Sequence, residues 1–491
     1  MKGALMVCGT TSDAGKSHVV TGLCRLLARR GIRVAPFKAQ NMALNSYVTG
    51  DGGEIGRAQG IQALAAGAEP EVAMNPILLK PTGERTSQVV VLGEPVGHMD
   101  AVAYHAAKPA LLSSVLEALA GLRARFDVVV CEGAGSPAEI NLLDHDIVNL
   151  RVAHEAGLPA IVVGDIDRGG VFAALYGTVA LLPDELRAHV RGFVINKFRG
   201  DPALLGDGLA ELERRCGVPT LGVIPWLHDV ALDAEDSLAL DGRRPRPRSR
   251  PRGDSLDVAA IRFPRISNFT DLDALALEPG VGVRLVSDAG GLGDPDLIIL
   301  PGTKATVADL EWLRGLGLDR AIEGRTCPVL GVCGGYQMMG RTIDDEVESG
   351  RGRVDGLGWL DGRTEFQPRK VTRQRRGRHG GHQVTGYEIH HGLVIRGLAS
   401  DPWLTLDDVY GTEDEGASDG RFRGTTLHGL FEADGFREAF LRETAAARGR
   451  KWLPAGVSFT AAREAQWDRL ADALEAHVDI AALERLIEES G

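Results

Sequence analysis

Between residues 9 and 17 the chain reads GTTSDAGKS. The apolar run Ala4-Leu5-Met6-Val7-Cys8 leads in. A helical pattern from His18 to Arg30 leads out, with apolar residues at Val19, Val20, Leu23, Leu26 and Leu27. A strand, a glycine-bounded loop ending in Gly-Lys-Ser and then a helix is the context that a phosphate-binding loop needs. Backbone N–H groups of the loop, from Thr11 to Gly15, and the positive end of the helix meet phosphate oxygens. Lys16 supplies a point charge to the terminal phosphates, and the Ser17 hydroxyl is placed to ligate Mg2+. Counted from Gly9, the loop has one residue more than the usual G-x-x-x-x-G-K-[ST] spacing.

The stretch that follows repeats short apolar runs that end in polar residues. Ile32 to Pro36 reads as a second strand, and it leads into FKAQNMALNS, residues 37–46. Lys38, Asn41 and Asn45 lie there, just past a strand end, where open α/β sheets bind ligands. Glu54 is expected to open a helix and to put a carboxylate within reach of the metal. Asn75 and Lys80 fall in an extended segment, MNPILLKP, and a helix is expected from Val102 to Leu122. Phe126 to Cys131 is a buried-strand pattern that ends in Glu132, the expected second Mg2+ position of a phosphate-loop fold. Ala160 to Val163 leads to GDIDRGG, with Asp165 and Arg168 at another strand end. Gly192 to Ile195 leads to Asn196-Lys197, a pair placed to read a nucleotide base. Arg199 stands where the guanine-specific pattern needs aspartate, so ATP is the expected nucleotide. With Leu221 to Pro225, these runs predict a mostly parallel sheet covered on both faces.

Residues 242–254, GRRPRPRSRPRGD, break the pattern. A proline-rich basic tract between two folded halves reads as an exposed linker. The whole chain carries 55 basic and 67 acidic residues, a net −12, which argues against nucleic acid as the main partner. No apolar run approaches a membrane span. The six cysteines are scattered without a CxxC pair, mostly in apolar runs, as reduced core thiols are. A cytoplasmic enzyme is expected, and the sequence leaves open whether it is a homo-oligomer.

After the tract an α/β pattern restarts, with strands at Leu256–Ile261, Val281–Val286, Leu297–Leu300 and 328–332. The last runs straight into Cys333-Gly334-Gly335-Tyr336-Gln337, a nucleophile elbow with cysteine in place of serine. The sharp turn holds the sulfur out, and the helix N-terminus favours the thiolate. A cysteine nucleophile needs a base from elsewhere, and His428, after the apolar Thr425-Thr426-Leu427, is the candidate. His390 and His391 compete with it. Backbone N–H groups at Gly334 and in the PGTK turn, Gly302 and Thr303, are candidates for an oxyanion hole. The basic run from Arg369 to His382 reads as an exposed, mobile loop, and 461–489 as helices.

Cys333 in GVCGGYQ and His428 in LHGLF resemble the class I glutamine amidotransferases. The long phosphate loop is similar to those of dethiobiotin synthetase and the partition ATPases. With KAQNMALNS, MNPILLKP, CEGAGSPAEINL, GDIDRGG, ISNFTDLDAL, LPGTK and GYEIHHG in the same order, the chain resembles the cobyric acid synthase family from residue 3 to about 440. The resemblance implies an α/β protein: a P-loop ATP-binding synthetase domain (1–240), the linker (241–254), a flavodoxin-like class I amidotransferase domain (255–445) and a C-terminal helical extension (446–491). It implies ATP, Mg2+ and glutamine, a corrinoid substrate, and amidation of the b, d, e and g carboxylates of adenosylcobyrinic acid a,c-diamide. It also implies a glutamine-binding role for Gln337. Substrate contacts are expected from Lys38, Asn41, Asn45, Asn75, Lys80, Asp165 and Arg168, and a domain interface that shields ammonia. The wider amidotransferase class has a glutamate two residues after the histidine. Leu430 stands there, so a Cys–His dyad is expected, with Glu432 not favoured as a third member. Cobyrinic acid a,c-diamide synthase is the near alternative. A partition-type P-loop switch and a ligase for a cell-wall precursor are the distant ones.

Overall fold

The computed structural model of this chain describes residues 1–83, 85–228, 230 and 255–491. The Arg/Pro-rich linker and residues 231–240 of the expected first domain lie outside the described residues. The chain divides into two compact units that interleave in sequence. One takes residues 1–43, 53–231 and 463–491, and the other takes 44–52 and 232–462. The expected C-terminal extension is therefore shared out, with the helix Phe459–His477 divided at 462/463.

The first unit is built on a parallel sheet. Its strand order is Thr220–Pro225, Val190–Phe198, Ala160–Asp165, Gly3–Gly9, Val128–Glu132, Val34–Phe37. Leu5, Met6, Val7, Val129, Val130, Ile161 and Val162 are fully buried. That continuous apolar run is what a parallel strand needs when helices cover both faces. Helix Lys16–Arg29 packs Val20, Leu23 and Leu27 on one face, in one cluster with Leu483, Leu486 and Ile487 of the C-terminal helix Ile480–Glu488. Ser490 Oγ closes this contact by accepting from Ala4 N–H (2.7 Å) and donating to Ala4 O (2.9 Å). A second small sheet runs Gln40–Met42, Ile77–Pro81, Thr86–Val91, Glu94–Asp100. The helix expected to start at Glu54 starts at Arg57 instead. Residues Glu54–Gly56 are extended, because the Gly56 N–H is drawn off to Asn75 Oδ1 (2.9 Å).

The second unit has its own parallel sheet, in the order Val281–Val286, Leu256–Ile261, Leu297–Leu300, Val329–Val332, Phe422–Thr425, with Ala417–Asp419 antiparallel at the edge. The basic run read as a mobile loop is the opposite of one. It lies in strand Gly362–His379, paired antiparallel with His382–Arg396. Gly380 and Gly381 supply the positive φ values, 53° and 87°, that a tight hairpin turn requires. The arginines tolerate strand pairing because carboxylates from neighbouring strands meet them: Arg373 and Arg375 both contact Glu388 and Glu413. No described helix is long and apolar enough to cross a membrane.

Candidate active sites

In the first unit the phosphate loop leaves its strand at Gly9, and Gly15, at φ 98°, turns it into the helix that begins at Lys16. Lys16 Nζ is buried and donates to the carbonyls of Thr11 (2.9 Å), Ser12 (3.1 Å) and Gly135 (3.3 Å), which hold it over the loop. The Ser17 hydroxyl donates to Glu132 Oε1 (2.9 Å). Lys38 Nζ reaches the same oxygen (3.0 Å), and Gln62 Nε2 donates to Oε2 (2.6 Å). Ser17, Lys38 and Glu132, chosen from separate stretches of sequence, therefore converge. A hydroxyl and a carboxylate oxygen this close form a hard-oxygen pair of the kind Mg2+ takes, with an ammonium already against the carboxylate. Among the described residues no group of three or more His, Cys, Asp or Glu is arranged to hold a metal. Ser17 and Glu132 would contribute oxygens to such an ion, with phosphate oxygens and water in its shell.

Glu54, the other expected metal ligand, is fully buried in a close ion pair with Lys80. Lys80 meets its carboxylate there as Lys38 meets that of Glu132. Asn41 donates to Gln59 Oε1 (3.0 Å). Asn75 ties backbone together, accepting from Gly56 N–H and donating to Lys38 O (2.9 Å) and Ile77 O (3.0 Å). Asp165 accepts from Lys197 Nζ (2.8 Å) and from Asp167 N–H (2.9 Å), and exposed Arg168 pairs with Asp13 of the phosphate loop (2.7 Å). Asn196 donates to Ala14 O (3.0 Å), so it braces the loop. It also lines a cavity of about 120 Å3 with His18, Lys197, Trp226, Leu470 and Leu474. The cavity beside the loop is of mixed apolar and polar character, which suits a nucleoside. Arg199 covers the Trp226 ring at 3.8 Å.

In the second unit Cys333 sits between strand Val329–Val332 and helix Gly334–Met339, at φ 49° and ψ −111°. A non-glycine residue at positive φ is a strained elbow, held by the packing around it. The PGTK turn lies against it: a Cβ on Gly334 would come within 2.7 Å of Thr303 Cγ2. A Cβ on Gly302 would come within 2.8 Å of His428 Cε1. Cys333, Gly334, Gly302, Thr303 and His428 are thus one cluster. The Cys333 Sγ lies 3.9 Å from Ile389 O. Gln337 bridges the elbow helix to the neighbouring strand, accepting from Thr306 Oγ1 (3.0 Å) and donating to Gly392 O (3.0 Å). Of the competing histidines, His391 Nδ1 contacts Gln367 O (3.0 Å), and His390 Nε2 is 3.6 Å from Glu388 Oε1.

His428 is fully buried. Its Nδ1 is 2.7 Å from Asp271 Oδ2, and Asn268 Nδ2 is 3.3 Å from its Nε2. Burial alone would push the imidazole down. The charges of Asp271 and Cys333, with their hydrogen bonds, outweigh burial and lift it to about 10. Sequence reasoning singled out neither Asp271 nor Asn268 as a site residue. The only signal was the string ISNFTDLDAL, which contains both. Asn45 belongs to this unit and not with Lys38 and Asn41. Its Oδ1 accepts from Phe269 N–H (3.3 Å), and Ser46 N–H donates to Asn268 Oδ1 (2.9 Å).

A phosphate loop with a metal-competent serine and glutamate in one half, and a cysteine–histidine elbow in the other, define a glutamine-dependent amidoligase. Residues 5–239 match the CobQ/CobB/MinD/ParA nucleotide binding domain, and residues 257–436 match the CobB/CobQ-like glutamine amidotransferase domain. The cobyric acid synthase of Nocardia farcinica is 55% identical over 99% of this chain and 97% of its own length. That of Rhodococcus jostii is 56% identical over 99% and 96%. A solved glutamine amidotransferase aligns with 39% of this chain and 98% of its own, at 15% identity and a TM-score of 0.31. The chain belongs to the cobyric acid synthase family.

Proposed function

We propose that this protein amidates the b, d, e and g carboxylates of adenosylcobyrinic acid a,c-diamide, giving adenosylcobyric acid in cobalamin biosynthesis, in the cytoplasm. One ATP and one glutamine are used at each carboxylate. The observation that carries the reading is the near-full-length identity to cobyric acid synthases, together with the gathering of Cys333, His428 and the PGTK turn into one cluster.

A carboxylate does not react with ammonia in water, because it is anionic and its oxygen leaves poorly. Phosphoryl transfer from ATP to give an acyl phosphate removes both obstacles. Lys16 and the helix N-terminus bind the phosphates and neutralise charge on the moving group. Ser17 and Glu132 hold Mg2+, which supplies further charge neutralisation there. Lys38, beside Glu132, is placed to meet an anionic substrate group. In the other half, Cys333 Sγ attacks the glutamine side-chain amide, His428 gives a proton to the leaving ammonia, and water resolves the thioester. N–H groups at Gly302, Thr303 and Gly334 receive the oxyanion. Asp165 and Arg168, at the mouth of the phosphate loop, remain substrate or nucleotide contacts in this scheme.

Mass spectrometry after incubation with ATP, Mg2+ and glutamine tests the acceptor. Four additions to the a,c-diamide support the proposal. Two additions to cobyrinic acid itself move the assignment to the a,c-diamide synthase. Cys333→Ala tests the division of labour: activity with glutamine should vanish while activity with ammonium salt persists, and equal loss of both would sink it.

A further inference from the structure

The sequence puts leucine where the wider amidotransferase class has its third catalytic-site carboxylate. Leu430 is 2% exposed and belongs to the core. The imidazole nonetheless has a carboxylate. Asp271 comes from a short turn, Phe269–Leu272, that lies 157 residues earlier in the chain. Its two oxygens are both committed. Oδ2 takes His428 Nδ1 at 2.7 Å, and Oδ1 accepts the Gly429 N–H at 2.8 Å. The carboxylate is thereby fixed in plane against the histidine and its neighbour, and it is itself buried. The turn is fixed too. Asn45 Oδ1 accepts the Phe269 N–H, Asn268 O accepts the Asp271 N–H (3.2 Å), and Asn268 adopts φ 51° to start it. The ring is held from the other sides by Tyr387, which stacks on it at 5.4 Å and 24° and exchanges two backbone hydrogen bonds with His428. Gly302 leaves room for its Cε1 edge.

We propose that Asp271 is the positioning residue of the glutaminase centre: its carboxylate keeps the His428 proton on Nδ1 and holds the imidazole so that Nε2 exchanges protons with Cys333. The inference rests on the reading of Cys333 as nucleophile. The proton of the thiol passes to His428 Nε2, and Sγ forms a bond to the amide carbon as the C=O π pair moves onto oxygen. The C–N bond then breaks as the Nε2 proton goes to nitrogen, releasing ammonia and leaving the thioester. Water attacks the thioester and gives its proton to Nε2. The C–S bond breaks, Sγ recovers a proton from Nε2, and glutamate departs. The Asp271 carboxylate takes no proton in these steps and stabilises the imidazolium in both halves.

The test uses the full chain with Asp271→Asn, Asp271→Glu and Cys333→Ala. Asparagine has the same shape but only one acceptor oxygen. It cannot serve both His428 Nδ1 and the Gly429 N–H, and its amide group offers Nδ1 a donor. Glutaminase kcat should fall on the order of 1,000-fold or more, with the KM for glutamine nearly unchanged and ammonium-supported amidation retained. The alkaline limb of the glutaminase pH profile, which follows loss of the imidazolium, should move to lower pH by about one unit or more. A kcat within about threefold of the parent, with an unmoved limb, overturns the proposal while Cys333→Ala is inactive with glutamine. Glutaminase surviving in Cys333→Ala overturns the nucleophile assignment, and this inference with it. If Asp271→Asn melts early, Asp271→Glu decides. Recovery of stability together with the pH limb supports the proposal, and recovery of stability alone overturns it.

Discussion

Replacing Gly335 by alanine should disable the glutaminase centre without touching any reacting atom. A Cβ at this position would lie 1.9 Å from the Leu300 carbonyl oxygen, 2.6 Å from its carbon and 2.8 Å from Pro301 O. Ordinary contact begins near 3.4 Å, so the elbow helix must withdraw by about 1.5 Å. The obstacle cannot swing aside, because Leu300 ends a strand paired in register with Gly331 on the strand that leads to Cys333. The shift therefore falls between the elbow and the Pro301–Gly302–Thr303 turn, the two parts that must bracket the glutamine amide. A displacement of about 1 Å in a reacting geometry costs on the order of 100-fold in rate. Glutaminase kcat/KM should fall by about that factor or more, measured as glutamate release. Overpacking should cost about 1–3 kcal/mol, a drop of roughly 2–12 °C in the melting of this unit. Ammonium-supported amidation should persist. Glutaminase within about threefold of the parent, at an unchanged melting temperature, would refute the argument that the elbow has no room.

Lys16→Gln should abolish amidation with glutamine and with ammonium alike, while glutamate release in the other unit remains measurable; survival of ammonium-dependent synthesis would remove Lys16 from the phosphate site. Arg437 and Glu278 are both fully buried and joined at 2.8 Å. Arg437→Leu strands the carboxylate and should cost about 3–5 kcal/mol in urea melts, with part of the loss recovered in Arg437→Leu/Glu278→Leu. Burial would raise the Glu388 carboxyl, but His390 and Arg373 outweigh it and hold it at about 2. Because that folded value lies below the ordinary one of 4.5, its contribution is present above about pH 4.5 and lost as pH falls towards 2. Glu388→Gln should therefore lower the melting temperature at pH 7 and lower it much less near pH 2. Glu415 has the opposite sign: burial pushes it up to about 7, against hydrogen bonds from Thr426 and Thr425. Its contribution is complete below about pH 4.5 and is lost as pH rises through 7, so Glu415→Gln should flatten that part of a melting-temperature profile.

The parts of this chain that were legible from sequence are those whose meaning is local. A phosphate loop is a strand, nine residues and a helix, and GTTSDAGKS carries all of its chemistry in one string. The elbow is the same kind of object, and Cys333 sits where its neighbouring glycines predict. The strands of the two parallel sheets were equally plain, because a buried parallel strand is an unbroken apolar run, whereas the strands of the antiparallel sheets carry no such run and were not read. The failures have one physical form: a charge was assigned without its distant partner. Residues 369–382 looked like a loop because nothing nearby neutralised the arginines, yet Glu388 and Glu413 do so across strands. Glu54 reads as the opening of a helix, yet its segment is extended and its carboxylate meets Lys80, 26 residues further on.

Asp271 and Asn45 extend the same point to the glutaminase centre. The string KAQNMALNS reads as one polar loop, but the fold divides it after Ala43. Lys38 is left beside Glu132 in one unit, and Asn45 holds the backbone of the Asp271 turn in the other. A buried imidazole that takes up a proton needs a fixed counter-charge, whatever its place in the chain, since an unpaired cation in a closed site is costly. Losing the carboxylate at the position of Leu430 is therefore tolerable only if another acid reaches Nδ1. In this fold the segment after strand Leu256–Ile261 can do so, because its turn Phe269–Leu272 lies beside His428. The requirement belongs to the histidine, while the residue that meets it is set by topology. That is why local reading found Cys333 and His428 as a pair and stopped there.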